Sequence, residues 1–511
     1  MEQETGESAE SPRFEAKSGE SGEDEAPEAE SSESGEDAAQ ERHSSESGGG
    51  AVSAAEELEE TSPPYWVDRL VSYALILVGR THLLSEPFLS SIARKVKEDR
   101  LRQVSVVGGV LVHSQSGGLT ACKKAGVSVA PFEVVGDRDA MSPWRHWRLR
   151  RKSRTPLTSL SEHRVVAFIQ RASRRRPVLV VGRVSKPMEG MLSFGIGCDY
   201  IRDAVLECAD LEGVSVFLET VSAMPRLGIA VGLEDMARRG VALFESDAKL
   251  PHYSVPQASI AERALVSRIM EILSYEKGKA LYLEQNSICA EIAGTIVRNG
   301  AWEGWGSADL LGPHHRALFE AGRFHGFVGS GTERQLLEGK MVGTHALGDE
   351  SFYRWLDGRN DVLLASSRDI FRSARFQGSV AISQISNLDF HLRAFCPEGR
   401  GQEVGPGALS MALQGVARDE KGVFIACLND VEIDRWGRAV PCFAPKGAWG
   451  GRTKVALGEM CPYALGRLYV VTPYGLVDLA GKLPGEAVRA LIEIATPDLR
   501  RPLRKAFSNF A

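Results

Sequence analysis

The strand-like runs of this chain are almost continuously apolar, and helical patterns separate them along the sequence. Such runs suit strands covered on both faces, as in parallel sheets flanked by helices. The helical patterns include 485–496, which we expect to be the last helix because it stops before Pro497. Strands interleaved with helices, twice over, predict an α/β fold of two open, largely parallel sheet domains with helices on both faces. The predicted strands are VSVVGGVLV (104–112), PVLVVGRV (177–184), VSVFLETV (214–221), GVALFES (240–246), KALYLEQ (279–285), KMVGTHAL (340–347), GSVAISQIS (378–386), GVFIACL (422–428) and RLYVVT (467–472).

A linker-like stretch divides the strands into two series. The segment PHYSVPQ (251–257) combines prolines with polar residues, and a strong helix signal at 259–276 follows it, opening with an S-x-x-E capping box at Ser259. We place the domain boundary there, which gives α/β domains at 63–254 and 255–511. Because ligands of such folds bind at the carboxyl ends of parallel strands, we expect the site in a cleft between the domains.

The first 62 residues have a composition unlike the rest of the chain. They contain twenty acidic residues, three basic ones and a single aromatic residue. Such a segment cannot bury enough apolar area to offset its conformational entropy, so we predict a disordered acidic tail at 1–62. The tail carries a net charge of −17 and the whole chain −6, so residues 63–511 carry +11.

Cysteine usage and the N-terminus both favour an intracellular protein. The eight cysteines include no CxxC pair and most sit in apolar runs, so we predict buried free thiols in a reducing compartment. No signal peptide opens the sequence, and the apolar run at 71–78 is far shorter than the ~20 residues that span a bilayer. These features predict a soluble, cytoplasmic protein without a membrane partner.

Motifs of the general functional classes are weak or missing. No GxxxxGK[ST] occurs, which argues against a P-loop nucleotide triphosphatase, and GIGCDY (195–200) lacks the third glycine of a dinucleotide fingerprint. His314 and His315 are adjacent, and adjacent residues do not share a helix face, so no metal site is predicted. The basic runs RHWRLRRKSR (145–154) and RASRRRP (171–177) would suit nucleic acid or the acidic tail, but a solvated surface is the simpler interpretation and a nucleic-acid partner is not expected.

Four longer segments carry a resemblance to a known family. They are LSFGIGCDYIRDAV (192–205), SAMPRLG (222–228), GKMVGTHALGDESFYRWLDG (339–358) and RLYVVTPYGLVDLAGKLPGEAVRALIEIATPDLRRPL (467–503). In this order they resemble segments of the acetyl-CoA hydrolase/transferase family, which includes 4-hydroxybutyrate CoA-transferases. The resemblance extends over nearly all of 63–511, and it implies the fold of that family in a divergent member.

The resemblance also implies positions for the reacting groups. The family has a catalytic glutamate in a Gly-Ile-His-Ser/Thr-Glu-Met stretch, a fixed distance before Glu-Ala-Gly. Registering on Glu320-Ala321-Gly322 places Asp309 at that position. The family's glycine-rich segments near the coenzyme fall on 284–286 and 405–412, and its Gly-Gly-Lys falls in GAWGGRT (447–453), which by itself suits a close turn or a phosphate-contacting loop. The implied coenzyme contacts are Glu284, Gln285, Asn286, Ser287, Gly405, Gly407, Ala408, Gly450, Gly451 and Arg452.

The chemistry that the resemblance implies is covalent. A carboxylate attacks the acyl thioester to give a mixed anhydride, CoA thiolate attacks that anhydride, and a second carboxylic acid reverses the sequence from the enzyme–CoA thioester. If water reaches the thioester, transfer becomes hydrolysis. The resemblance thus implies a CoA-transferase or acetyl-CoA hydrolase of acetate metabolism, with Asp309 as nucleophile. Its substrates would be acyl-CoA and a small carboxylic acid, no cofactor would stay bound, and the family's dimers imply a homodimer.

Two other interpretations stay open from the residues. A catalytically degenerate fold would bind CoA or an acyl-CoA as a sensor or regulatory subunit, without turnover. A scaffold or nucleic-acid-associated protein would use the basic runs and the acidic tail. Taken locally, Asp309 is equally well explained as a loop carboxylate near a helix start, because acids favour helix N-termini.

Overall fold

The chain alternates strands and helices through both predicted halves. The structure is a computed structural model, and the acidic tail predicted at 1–62 lies outside the residues it describes. By its contacts the chain from Thr61 onward forms one unit, so the domain boundary at 254/255 stays a prediction. The described residues are 65–84, 86–112, 116–130, 133–135, 165–247, 249–308, 310–325, 338–366, 378–385, 387–395, 413–429, 431–433, 439–445 and 453–510.

The first half forms a parallel sheet. The strands of this half are β1 (Leu75–Leu83), β2 (Ser105–Val112), β3 (Ser128–Ala130), β4 (Glu133–Val135), β5 (Val178–Ser185), β6 (Met191–Leu192), β7 (Val214–Val221), β8 (Val231–Gly232) and β9 (Ala242–Ser246), of which β6 and β8 pair separately from the main sheet. Its helices are α1 (Glu86–Glu98), α2 (Ser116–Lys124), α3 (Val165–Ser173), α4 (Asp199–Cys208) and α5 (Leu233–Arg238), after a 3-10 turn at Tyr65–Arg69. The sheet order is β3-β2-β1-β5-β7-β9 with β4 beside β2, and every pair is parallel.

The second half forms a larger sheet. The strands of this half, eight of which form the larger sheet, are β10 (Ala280–Leu283), β11 (Trp305–Ser307), β12 (Leu310–Leu311), β13 (Met341–Gly343), β14 (His345–Ala346), β15 (Val362–Leu364), β16 (Ser379–Ile385), β17 (Asn387–Asp389), β18 (Arg393–Phe395), β19 (Val423–Leu428), β20 (Val431–Ile433), β21 (Ala439–Pro441), β22 (Phe443–Ala444), β23 (Thr453–Ala456), β24 (Arg467–Thr472) and β25 (Gly475–Asp478). The order β15-β13-β11-β10-β16-β19-β24-β25 is parallel except at the antiparallel pair β24–β25. The two sheets confirm the predicted fold class.

Helices accompany this second sheet along the chain. They are α6 (Ile260–Ser274), α7 (Ser287–Asn299), α8 (Pro313–Glu320), α9 (Glu350–Leu356), α10 (Leu457–Met460), α11 (Pro484–Glu493) and α12 (Pro497–Ser508), with a 3-10 turn at Cys461–Tyr463. Within the described ranges, no helix is both long and apolar enough to cross a membrane.

Both sheets bury side chains on their two faces, as the continuous apolar runs predict. In β5, Val178 and Val180 belong to one hydrophobic cluster, while Leu179 and Val181 belong to another. Strand β16 divides its apolar residues between two clusters in the same way. Because successive strand residues point to opposite faces, this division shows why the runs do not alternate with polar residues.

The structure corrects two predicted elements. The run at 340–347 is not one strand, because the chain turns at Thr344 between β13 and β14. The helix predicted at 485–496 ends at Glu493, and it is not the last one, because Pro497 begins α12. Proline lacks an N–H that the first helical turn does not need, so a proline that ends one helix also suits the start of the next.

Two sequence signals are confirmed at the level of side chains. The capping box of α6 is formed, since Ser259 Oγ accepts from the N–H of Glu262 at 3.2 Å and the Glu262 carboxylate accepts from the N–H of Ser259 at 2.7 Å. The seven cysteines within the described ranges are free and buried, whereas Cys396 lies outside them.

Candidate functional site

Loops from both halves of the chain meet at the carboxyl edge of the second sheet. The carbonyl oxygen of Thr344, between β13 and β14, accepts from the N–H groups of Cys198 and Asp199 at 3.2 and 3.0 Å. Gly197 and His345 form an antiparallel bridge beside these bonds. Since ligands of parallel sheets bind beyond the carboxyl ends of the strands, this edge is the candidate functional site.

Asp309, the predicted nucleophile, lies outside the described residues, but its two neighbours are at this edge. Ala308 follows β11, is fully buried, and donates its N–H to the carbonyl of Val342 at 3.1 Å. Leu310 begins β12, is buried, and pairs with His345 in parallel register. The chain on each side of position 309 is therefore held against β13 and β14.

Glu284, the first of the predicted coenzyme contacts, links the carboxyl ends of β10 and β16 by hydrogen bonds. It follows β10, and its carboxylate accepts from Ser383 Oγ at 2.7 Å and from the N–H of Gln384 at 3.1 Å, both on β16. It also accepts from Asn286 Nδ2 at 3.2 Å. Two of these three hydrogen bonds direct the half-buried Glu284 carboxylate onto the neighbouring strand β16.

Asn286 and Ser287 begin α7 and also have partners inside the protein. Asn286 Oδ1 accepts from the N–H of Cys289 at 2.9 Å, which is the N-cap hydrogen bond of the helix. Ser287 Oγ donates to the Glu262 carboxylate at 2.9 Å. The register with a glycine-rich family segment did not indicate these roles, although asparagine before a helix pattern is a readable capping signal.

Gln285 differs from its neighbours because half of its amide has no partner. Its Nε2 donates to the carbonyl of Leu347 at 2.7 Å, whereas its Oε1 is buried without a hydrogen-bond donor. The amide packs on Gly312, where an added Cβ would lie 2.7 Å from Nε2. Glycine at 312 therefore allows α8 to begin directly against this side chain.

The adjacent histidines at the start of α8 are both buried, which the sequence analysis missed. Burial lowers the pKa of His314 to about 4 and lowers the pKa of His315 well below its ordinary value, so both rings are neutral at neutral pH. Their centroids are 4.0 Å apart. No group of three or more potential metal ligands occurs among the described histidine, cysteine and acidic residues.

Several sequence-predicted residues lie outside the ranges that the structure describes. The basic run 145–154 is one of them. In the other run, Arg176 serves the fold, because Nε donates to the carbonyl of Tyr73 at 2.8 Å and Nη2 to that of Ala74 at 2.9 Å. The predicted coenzyme contacts that also lie outside the described ranges are Gly405, Gly407, Ala408, Gly450, Gly451 and Arg452.

Comparisons with known proteins bear on the family resemblance. Residues 464–507 match the model of the acetyl-CoA hydrolase/transferase C-terminal domain. Among solved structures, the chain is similar to RipA from Yersinia pestis, with 16% identity, a TM-score of 0.67, and coverage of 87% of this chain and 95% of RipA. It is also similar to a 4-hydroxybutyrate CoA-transferase from Porphyromonas gingivalis, with 17% identity, a TM-score of 0.59, and the same two coverages. No curated protein sequence matches the chain.

The sequence-based resemblance is thereby confirmed. The segment quoted at 467–503 lies within the residues that match the family model, and both solved structures cover most of the chain. The chain has a CoA-transferase-like fold at 16–17% identity to these solved structures, and its residues 464–507 match the model of the C-terminal domain of the acetyl-CoA hydrolase/transferase family.

Proposed function

We propose that the chain processes acyl-CoA thioesters, as an acyl-CoA:carboxylate CoA-transferase or an acyl-CoA hydrolase with Asp309 as the attacking carboxylate. One observation supports this most directly. The residues on either side of position 309 are anchored at the carboxyl edge where loops of both halves meet. A 4-hydroxybutyrate CoA-transferase among the similar structures fits the same chemistry.

The anchoring of the flanking residues matters for this chemistry. The carboxylate must attack the thioester carbonyl carbon and release CoA thiolate, leaving a mixed anhydride on the enzyme. A displacement of ~1 Å from the attack position costs ~100-fold in rate. The hydrogen bond from Ala308 to Val342 and the strand pairing of Leu310 with His345 would hold the nucleophile against such displacement.

Coenzyme contacts are proposed by register with the family. The loops that carry Gly405, Gly407, Ala408, Gly450 and Gly451 would supply backbone N–H groups to the oxyanion and the coenzyme, each donor to an oxyanion contributing ~3–4 kcal/mol. Arg452 would contact a CoA phosphate, since its guanidinium donates in a planar fork. At 284–287 the contact would come from backbone and from Gln285, because the other side chains hold the edge. No bound cofactor is part of the proposal.

A second candidate is a protein that binds CoA or acyl-CoA without turnover. One observation favours it. Where the family has Gly-Ile-Gly, this chain has Glu284, Gln285 and Asn286, and two of these side chains are engaged in the hydrogen bonds that close the strand end. The same edge would then recognise the thioester without the close backbone approach that catalysis uses.

The resemblance further suggests the setting of the reaction. We propose a cytoplasmic homodimer acting on short acids such as acetate. The free, buried thiols of the seven described cysteines suit a reducing compartment.

Trapping of an acyl-enzyme separates the candidates. The full chain would be incubated with a panel of acyl-CoAs and acetate, and free thiol, CoA exchange and hydroxylamine-trapped acyl group would be measured. A working nucleophile predicts thiol release and trapping that Asp309→Asn abolishes and that the control Asp498→Asn, on the exposed start of α12, leaves intact.

The binder predicts a different pattern in the same experiment. Thermal stability would rise with CoA by ~1.4 kcal/mol at tenfold saturation, with no thiol release. Trapping that persists in Asp309→Asn would exclude this residue as the nucleophile, and absence of any CoA effect would exclude both candidates.

A further inference from the structure

The linker segment 251–257 is paired with the chain that follows β14. The N–H of Tyr253 donates to the carbonyl of Gly348 at 3.0 Å. His252 and Gly348 form a parallel bridge next to this hydrogen bond. The linker is therefore held by its backbone close to β14, the strand that pairs with β12.

The hydroxyl of Tyr353, on α9, joins the same two segments. It accepts from the N–H of Gly348 at 3.1 Å and donates to the carbonyl of Pro251. Burial raises the pKa of this phenol, so the proton that it donates stays on the oxygen at neutral pH. One buried side chain thus fixes the start of the linker to the chain after β14.

The side chain of Tyr253 belongs to a small hydrophobic cluster beside position 309. The buried members of this cluster are Tyr253, Leu310 and Leu347, which are 8%, 2% and 5% exposed, and the partly buried Val255 packs against them. It is separate from the four larger clusters of the described residues. Because Leu310 directly follows position 309, the linker covers the residue next to the proposed nucleophile.

The rest of this cluster is fixed by hydrogen bonds. The N–H of Leu347 donates to the carbonyl of Leu311 at 2.9 Å, and the carbonyl of Leu347 accepts from Gln285 Nε2 at 2.7 Å. Tyr253 brings the one aromatic ring to the cluster and so a large share of its buried area. Neighbours of a buried side chain partly relax into the space left when it is removed. Loss of the Tyr253 ring would therefore let Leu310 shift.

We propose that Tyr253 is a positioning residue for the carboxylate at position 309, acting through Leu310. This inference rests on the proposed function, in which that carboxylate attacks the thioester. The ring keeps Leu310, and with it the adjoining residue 309, from moving away from the attack position. A displacement of ~1 Å at this point costs ~100-fold in rate, so a linker residue can control the reaction without contacting the substrate.

Single-turnover acylation of the full chain tests the proposal. Tyr253→Ala should slow formation of the hydroxylamine-trapped acyl-enzyme at saturating acyl-CoA by about 10- to 100-fold, and Tyr253→Phe, which keeps the ring, by less than about three-fold. The affinity for CoA, measured by thermal shift, should stay within about two-fold in both variants, because the lost interaction acts on the chemical step. Tyr275→Ala, at a tyrosine that is 87% exposed, should keep the wild-type rate.

A variant in another cluster separates positioning from stability. Leu503→Ala removes a buried side chain of α12, so it should lower the melting temperature without slowing acylation. The proposal is overturned if Tyr253→Ala lowers only the melting temperature, or if Tyr253→Phe slows acylation as much as Tyr253→Ala does. If Tyr253→Ala does not fold, Leu347→Ala opens the same cluster from its other side and decides by the same criteria.

Hydrogen exchange distinguishes failure of this inference from failure of the proposed function. The amides of 310–311 and 345–348 should exchange faster in Tyr253→Ala than in Tyr253→Phe or the wild type. If the wild type acylates and Tyr253→Ala acylates at the same rate, this inference fails and the proposed function stands. If the wild type forms no acyl-enzyme, the proposed function fails and exchange alone decides: faster exchange supports the packing of Tyr253 behind position 309, and unchanged exchange overturns it.

Discussion

The carboxyl ends of the two sheets differ in how their buried polar groups are satisfied. In the first sheet, Arg183 on β5 and Glu219 on β7 form an ion pair at 3.0 Å, with side chains 9% and 4% exposed. Ser185, at the end of β5, accepts from the N–H of Ser193 at 3.1 Å. At the second sheet, six of the nine buried polar atoms without a partner in the described chain lie at or just after strand ends or at the start of α8, on Gln285, His314, His315, Asn387 and Asn429.

The difference shows which edge keeps more buried polar atoms without a hydrogen-bond partner among the described residues. A buried polar group without a hydrogen-bond partner costs ~1–3 kcal/mol in stability. An edge whose buried polar groups are all hydrogen-bonded within the protein therefore gains nothing of this kind from a ligand. Among the described residues, the side chains named at the first sheet are partnered within the chain, whereas the second sheet keeps buried polar atoms that no described group satisfies. This contrast supports placing function at the second sheet, and it does not depend on the identity of residue 309.

The largest effect is expected where the first sheet satisfies itself. Arg183→Met removes the guanidinium that pairs with the buried Glu219 carboxylate, and removing one member of a buried pair typically costs ~3–5 kcal/mol. Urea unfolding of the full chain would measure the loss. The double variant Arg183→Met, Glu219→Met should recover most of it, because a buried pair and an apolar pair of similar volume are often close in stability.

Replacing a buried polar side chain by an apolar one should have a much smaller effect on stability at the second sheet. His314→Phe removes two unpartnered atoms and keeps a ring of similar shape, so at pH 7 it should be nearly neutral or slightly stabilising. A loss as large as that of Arg183→Met would contradict the comparison, since it would show that His314 has a partner in the ligand-free fold.

Lowering the pH should reduce the stability of the fold through His314 at the second edge, by less than the loss expected for Arg183→Met. The pKa of His314 is about 4 in the folded chain and 6.5 as the ordinary value, so between these pH values the unfolded chain binds a proton that the folded chain does not. Stability is therefore fully present above pH 6.5 and is lost as the pH falls toward 4, by ~3 kcal/mol from this residue. Melting temperatures measured from pH 7 to pH 4.5 should fall less steeply in His314→Phe than in the wild type. Parallel pH profiles would contradict the buried, neutral ring.

The sequence predicted the sheets better than the site, for physical reasons. Continuous apolar runs report burial on two faces, and the S-x-x-E pattern reports a local capping box, so both signals are carried by neighbouring residues. His314 and His315 lie instead against residues distant in sequence, among them Leu283 and Glu284 at the end of β10. Adjacent histidines do not share a helix face, yet at the first turn of α8 both are enclosed. The turn at Thr344 could not be predicted from the local sequence either, because the Thr344 carbonyl accepts from the N–H groups of Cys198 and Asp199, which are distant in the chain.

A smaller loss of stability is expected for a residue at the second edge that already has its partner. Asn286 was predicted as a coenzyme contact from its register with a glycine, and in the structure its Oδ1 caps α7 through the N–H of Cys289. Asn286→Ala should cost ~1 kcal/mol in urea unfolding, while Asn286→Gly should cost only a few tenths, because glycine is itself favoured at N-caps. The pair of variants also separates capping from coenzyme binding. If Asn286 only caps, both variants keep the wild-type thermal shift with CoA; if its side chain contacts the coenzyme, both lose part of that shift although Asn286→Gly remains stable.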